Sequence, residues 1–296
     1  MARQNPIILS TWNFGLQANQ AGWTILEQGG AALDAVEAAA TATENDPTVT
    51  SVGYGGYPNE DGVIQLDAAV IDGKTGRMGS VAALEGIRNP CSVARKVLEK
   101  KKHIFLAGEG AQKFALQEGF QLENLHTPQS AAWYAEQLKK RSDESAPDAI
   151  GHDTIGVLAR DQEGELAVAC TTSGLAMKWA GRVGDSPLIG AGLYLDGAVG
   201  GAVGTGVGER AIEVCASFAI VEFMRNGMSP QNACEELLRR VVNRHPGRID
   251  FQLAFIALNR EGRFGGVALQ KDFEYAIYAH GENLLQPGAV YGQDFQ

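Results

Sequence analysis

Ile150-Gly151-His152-Asp153-Thr154-Ile155-Gly156 joins two kinds of sequence near the middle of a 296-residue chain. On its amino side, Arg141-Ser142-Asp143-Glu144-Ser145-Ala146-Pro147-Asp148 is polar and has no apolar period, the pattern of an exposed loop. On its carboxyl side, 154–159 is rich in β-branched residues and reads as a buried strand. Thr154 therefore opens a strand that follows a linker. A break in the chain before it would leave a free α-amine beside the threonine hydroxyl. A hydroxyl is a poor nucleophile until a base takes its proton, and an N-terminal amine is such a base. Its unperturbed pKa of roughly 7.7 to 8.0 leaves a useful fraction neutral near physiological pH. An ordinary strand can also begin with threonine, so the rest of the chain has to carry the distinction.

Around this point the expected elements alternate irregularly. A first strand over 7–12 ends at the turn-prone Asn13-Phe14-Gly15, and helices follow over 18–28 and 31–44, separated by Gly29-Gly30. Ser51-Val52-Gly53-Tyr54-Gly55-Gly56 is a glycine-rich loop, and 63–71 with 77–84 form a hairpin about Asp72-Gly73-Lys74-Thr75-Gly76. Next come helices over 91–100, 110–118 and 129–140, with a strand over 103–107. Beyond the linker, 154–160 and 166–172 make a second hairpin, a glycine-rich run covers 181–208, and one long helix is expected over 209–224. Ser229-Pro230 then caps a helix through 243, serine at N-cap and proline at N1, before strands over 251–258, 264–269 and 275–279. Regular β-α-β alternation is missing, which favours antiparallel sheets covered by helix layers over a doubly wound parallel sheet.

Composition narrows the function. No stretch approaches the roughly 20 apolar residues of a membrane span, and the opening residues lack the apolar core of a signal peptide. The chain as it stands reads as soluble and cytoplasmic, or periplasmic or lysosomal if a signal has been removed. A net charge of −10 argues against nucleic-acid and anionic-membrane partners. Cys91, Cys170, Cys215 and Cys234 are scattered and read as buried free thiols, and the five histidines show no ligand spacing, so neither a metal nor another cofactor is expected. Gly206-Val207-Gly208-Glu209-Arg210-Ala211 matches a dinucleotide fingerprint in letters only, since its helix leads into another helix.

Three pieces downstream of Thr154 bear on the same chemistry. Thr171-Thr172-Ser173-Gly174 ends the second strand of the hairpin and returns a hydroxyl beside Thr154. Gly181-Arg182-Val183-Gly184-Asp185-Ser186-Pro187 offers a cation and an anion suited to the two charged groups of a free amino acid. Gly204-Thr205-Gly206 falls at an expected helix start, where unpaired N–H groups face a developing oxyanion. Taken singly, each also fits sheet pairing, a surface ion pair or a tight turn.

Together, His152-Asp153-Thr154-Ile155-Gly156, Thr171-Thr172-Ser173-Gly174, 181–187 with Gly190-Ala191-Gly192, and Thr205-Gly206 stand in the order found in N-terminal-nucleophile (Ntn) hydrolases of the asparaginase type. In the amino half, Ser10-Thr11-Trp12-Asn13-Phe14, Asp46-Pro47, the 51–56 loop, Leu66-Asp67-Ala68 and Gly79-Ser80-Val81-Ala82 resemble the glycosylasparaginase branch. The His-Gly-Gly-Ala-Gly-like opening of the isoaspartyl peptidase and plant-type asparaginase branch is missing, and that branch stands as the alternative.

The resemblance implies an α+β fold, a four-layer αββα sandwich of antiparallel sheets covered by helices, spanning 1–296 as one domain. It implies autocleavage between Asp153 and Thr154, with His152 and Ser51 near the scissile turn. The products are an α chain 1–153, ending in a flexible linker over about 141–152, and a β chain 154–296, self-associating as (αβ)2. It further implies Thr154 as nucleophile, Thr172 bonded to it, and Thr205 with Gly206 at the oxyanion. Arg182 and Asp185 would hold the α-carboxylate and α-ammonium of a small-molecule substrate, free glycosylated asparagine, with Trp12 lining the pocket. Several relatives carry a polar residue after the Thr-Gly pair. Val207 stands there instead, which bears on sugar affinity and on whether free asparagine or β-aspartyl peptides are better substrates.

Overall fold

A computed structural model describes residues 4–141, 153–247 and 249–292. Its elements run β1 (Ile7–Thr11), α1 (Gly15–Glu27), α2 (Ala32–Glu44), β2 (Gln65–Asp72), β3 (Arg77–Glu85), α3 (Pro90–Lys100), β4 (Phe105–Ala107), α4 (Gly108–Gln117) and α5 (Pro128–Arg141). The carboxyl half continues with β5 (Ile155–Arg160), β6 (Leu166–Thr172), β7 (Leu193–Asp196), β8 (Gly200–Gly206), α6 (Gly208–Ile212), α7 (Ala216–Arg225), α8 (Pro230–Arg244), β9 (Leu253–Asn259), β10 (Phe264–Ala268), β11 (Glu274–Ala279), β12 (Glu282–Pro287) and β13 (Ala289–Val290).

Side chains alternate between the two faces of a strand, and here both faces are apolar. Ile8, Val70, Ile155, Val157 and Ala169 pack against residues of α1, α2 and α3, whereas Leu9, Ile71, Leu158, Val168 and Cys170 meet Val203, Ala254, Ile256 and Leu258 of the other sheet. The opposite face of that second sheet, with Ala202, Leu253, Phe255 and Ala257, is covered by Ile220, Val221, Leu237 and Leu238 of α7 and α8. Three apolar seams thus separate four layers in the order helices, sheet, sheet, helices. The sheets are ordered β12-β11-β1-β5-β6-β2-β3-β4 and β13-β10-β9-β8-β7. All pairings are antiparallel except β3 with β4 and β10 with β13. This is the α+β sandwich expected from sequence.

Some elements differ from expectation. Gly204-Thr205-Gly206 is not a helix start: it ends β8, paired with β9 as Gly204↔Phe255, Thr205↔Ala254 and Gly206↔Leu253, and α6 begins at Gly208. The single helix expected over 209–224 is two, α6 and α7, parted at Cys215, which holds φ 48. Tertiary bonds force that break. Ser217 donates its N–H (3.1 Å) and hydroxyl (2.8 Å) to the Ala191 carbonyl, and the Phe218 N–H reaches Gly190 O at 2.9 Å. Cys215 is also exposed, unlike the other three thiols. No helix among the described residues is long and apolar enough to cross a membrane.

Candidate active site

Thr154 stands immediately before β5 and is buried, at 4% exposure. Ile155 pairs with Thr171, so extending the antiparallel ladder by one residue sets Thr154 beside Thr172. The Thr154 N–H donates to Thr205 Oγ1 at 3.1 Å, and the Trp12 indole N–H donates to the same oxygen at 2.9 Å. With two donors on its oxygen, the Thr205 hydroxyl has its own proton to give. Trp12 holds an uncommon left-handed backbone, φ 64, and rests edge-on against Phe273 with ring centroids 5.2 Å apart. Strain of this kind persists where surrounding structure over-determines it.

A residue without a role in the sequence reading completes this part. Thr11 Oγ1 donates to the Thr154 carbonyl at 2.5 Å and accepts from the Gly156 N–H at 2.9 Å, clamping the head of β5 from both sides. The signal was available: Ser10-Thr11 puts two hydroxyls at the end of an apolar strand, where buried polar groups need partners.

Thr172 donates to the Ser51 carbonyl at 3.3 Å and accepts from the Gly174 N–H at 3.0 Å, and the Ser173 N–H also reaches Ser51 O, at 2.8 Å. Ser51 thus joins the site through its backbone. Asp153 is partly buried, and burial raises its carboxyl above the ordinary range. His152 and the expected linker, apart from the last helical residue Arg141, lie outside the described residues.

The cation and anion of the 181–187 loop both meet the segment after Thr205-Gly206. Arg182 grips the Glu209 carboxylate by two bonds, Nε at 2.9 Å and a terminal nitrogen at 2.7 Å. That is the geometry in which a guanidinium takes a carboxylate. Asp185 packs so closely on Gly208 that a Cβ there would lie 2.6 Å from Oδ1. Burial lifts the Asp185 carboxyl to about 6, opposed by the Arg182 charge. The loop is tied down by Ser80, whose hydroxyl donates to Pro187 O at 2.5 Å, which gives the Gly79-Ser80 motif its purpose. Below it lie Asp67 and Lys178, both buried. Burial raises the Asp67 carboxyl and lowers the Lys178 ammonium. Their signal in the sequence was a lone carboxylate inside the apolar run 63–71, since a buried charge requires a partner.

Four layers, a buried threonine heading β5 of the eight-stranded sheet beside Thr205 and Thr172, and a loop whose arginine and aspartate meet the segment after Gly206 define an amide hydrolase of the Ntn class. The asparaginase family profile matches residues 11–286, and the chain belongs to that family. It is 48% identical over 288 residues to the N(4)-(beta-N-acetylglucosaminyl)-L-asparaginase of Elizabethkingia miricola, covering 96% of this chain and 84% of the relative. The Rattus norvegicus protein of the same name is 36% identical over 307 residues, 92% and 88% of the two chains. A probable isoaspartyl peptidase/L-asparaginase of Arabidopsis thaliana is 31% identical over 324 residues, 95% and 89%.

Proposed function

We propose that the chain is a glycosylasparaginase. It hydrolyses the side-chain amide of N4-(β-N-acetylglucosaminyl)-L-asparagine after cleaving itself between Asp153 and Thr154. The observation that carries this reading is the Thr154 nitrogen, 3.1 Å from Thr205 Oγ1 at the head of β5. In the intact chain that nitrogen is a peptide group. Attack of Thr154 Oγ on the Asp153 carbonyl gives an ester, water opens it, and the nitrogen becomes an amine still facing Thr205.

In the mature enzyme the amine takes the Thr154 hydroxyl proton as Oγ attacks the substrate amide. The hydroxyl of Thr172 is assigned to the nucleophile, as a hydrogen-bond partner of Thr154 Oγ, and that of Thr205, with Gly206, to the oxyanion. The proton passes to the leaving glycosylamine, and water releases L-aspartate from the β-aspartyl ester. Arg182 exchanges Glu209 for the substrate α-carboxylate, and Asp185 takes the α-ammonium. Asparagine inside a polypeptide lacks both groups, so the glycoprotein has to be digested first. Two cleaved pairs associate as (αβ)2.

Val207, half-buried at the start of α6, offers no side-chain hydrogen bond and favours a second reading, a β-aspartyl peptidase or asparaginase with the same nucleophile. Intact mass on denatured protein should show two fragments, and one when Thr154→Ala is made. Of the three candidate substrates, kcat/KM should be highest on glycosyl-asparagine; a higher value on free asparagine or a β-aspartyl dipeptide selects the second reading. Arg182→Ala should still cleave itself but lose on the order of 100-fold or more in kcat/KM.

A further inference from the structure

Beneath the Arg182–Asp185 loop lies a buried ion pair to which the proposed reaction gives no task. Lys178 Nζ is 3.9 Å from Asp67 Oδ2, with side chains 1% and 0% exposed. Asp67 is paired with Thr172 across β2 and β6, at the point where the β2–β3 register slips. Its Oδ1 accepts from the Ala83 N–H at 2.8 Å, whereas Oδ2 has no hydrogen-bond partner. Lys178 gives a hydrogen bond to the Gln65 carbonyl at 3.1 Å, leaving Asp67 to its charge alone.

Two cations act on the Asp67 carboxylate, Lys178 more strongly and Arg182 after it, and the Gly184 N–H of the loop faces it. Gly174, at φ +74, makes room for both. A Cβ there would stand 2.8 Å from Lys178 Nζ and 3.3 Å from an Arg182 terminal nitrogen. A buried carboxylate without a counter-ion is costly, so it either takes up a proton or draws the nearest cation available. Were Lys178 neutral, that cation would be Arg182, whose fork has to stay turned towards a ligand carboxylate.

We infer that Lys178 is a positioning residue. By occupying Asp67 it keeps the Arg182 guanidinium turned away from that carboxylate and towards the Glu209 position, which the substrate α-carboxylate takes over, and so the pair sets the enzyme's grip on free amino-acid substrates. The inference rests on the proposed function and assigns the part of the molecule that holds its specificity determinant in place.

The test compares L-aspartate affinity by calorimetry, and KM with kcat, for wild type, Lys178→Met and Asp67→Asn/Lys178→Met. Lys178→Met should bind L-aspartate about tenfold or more weakly and raise KM by a similar factor, with kcat within about threefold. In the double variant the carboxylate that attracts Arg182 is gone, and most of the affinity should return. A merely structural lysine instead lowers the thermal unfolding midpoint of Lys178→Met and leaves the L-aspartate affinity of the folded protein at the wild-type value, since breaking a buried pair costs stability on its own. Wild-type affinity in Lys178→Met, or a double variant no better than the single, overturns the inference and leaves the proposed function standing. If Lys178→Met does not fold, Lys178→Gln, neutral and still a hydrogen-bond donor to the Gln65 carbonyl, takes its place: a tenfold loss of L-aspartate affinity supports the charge argument, and wild-type affinity overturns it. Wild-type protein that neither binds L-aspartate nor releases it from any asparagine derivative overturns the functional reading, and the inference with it.

Discussion

One hydroxyl, that of Thr11, spans two backbone groups on either side of Ile155, and valine matches its shape without that chemistry. Thr11→Val leaves a buried carbonyl and N–H without this partner, at a cost of about 1–3 kcal/mol in stability. Autocleavage and turnover should both slow, since Thr154 is no longer held, and timed mass spectra with steady-state rates will show it. Unchanged rates would remove Thr11 from the site. Asp185 invites a different test. With its carboxyl at about 6, it is mostly ionised at pH 7 and mostly neutral at pH 5. Only the ionised form attracts an ammonium, so L-aspartate should bind about tenfold more weakly at pH 5 than at pH 7. Calorimetry that is flat over that range would move the ammonium partner elsewhere. Both residues stand in quoted motifs, but only Asp185 was assigned a role from sequence. Thr11 acts through backbone atoms of a strand 143 residues away, a partnership that no local pattern announces.

Among elements, the hairpin of β5 and β6 was legible because its apolar runs are bounded by turn residues, and α8 because Ser229-Pro230 is a strong start signal. Ser229 does accept from the Asn232 N–H, at 3.2 Å. Ser229→Ala should therefore cost about 1 kcal/mol, seen as a lowered midpoint in thermal unfolding with the active site undisturbed. An unchanged midpoint would mean that α8 is held by its packed apolar face alone. Strand β8, by contrast, was hidden by its own composition, GGAVGTG, since glycine is a poor strand former. The reason lies across the sheet. A Cβ at Gly201 would meet Leu158 and Leu195 side chains at 2.7 Å, and one at Gly204 would meet the Phe255 ring at 2.5 Å. Bulk from the neighbours replaces the missing side chains, and that complementarity exists only once β5, β7 and β9 are assembled. The false helix start at Thr205 and the unbroken helix over Cys215 have the same origin. Pairing with β9 and the bonds from α7 to Gly190 and Ala191 overrule local propensity.

On the scale of the whole molecule, the same four layers that enclose Thr154 also bury a carboxylate that reports on their assembly. Glu44, at the end of α2, accepts from the Thr171 hydroxyl of β6 at 2.8 Å, the Cys91 N–H at the start of α3 at 2.9 Å and Asn89 Nδ2 at 3.3 Å. Its carbonyl also receives the Tyr54 N–H, so one residue joins two helices, the inner sheet and the loop that carries Ser51. Burial outweighs the three donors and lifts its carboxyl from 4.5 to about 7. A folded-state value above the unfolded one means that the folded protein binds the extra proton between those limits. The stabilisation is therefore full below pH 4.5 and is lost as pH rises through 7. Glu44→Gln mimics the protonated form and removes that dependence. In a Thr154→Ala background, which keeps the chain continuous, urea unfolding should show Glu44 protein losing about 2 kcal/mol between pH 5 and pH 7.5 relative to its Glu44→Gln counterpart. Parallel profiles would show that Glu44 stays ionised in the folded state, its three donors having offset the loss of water.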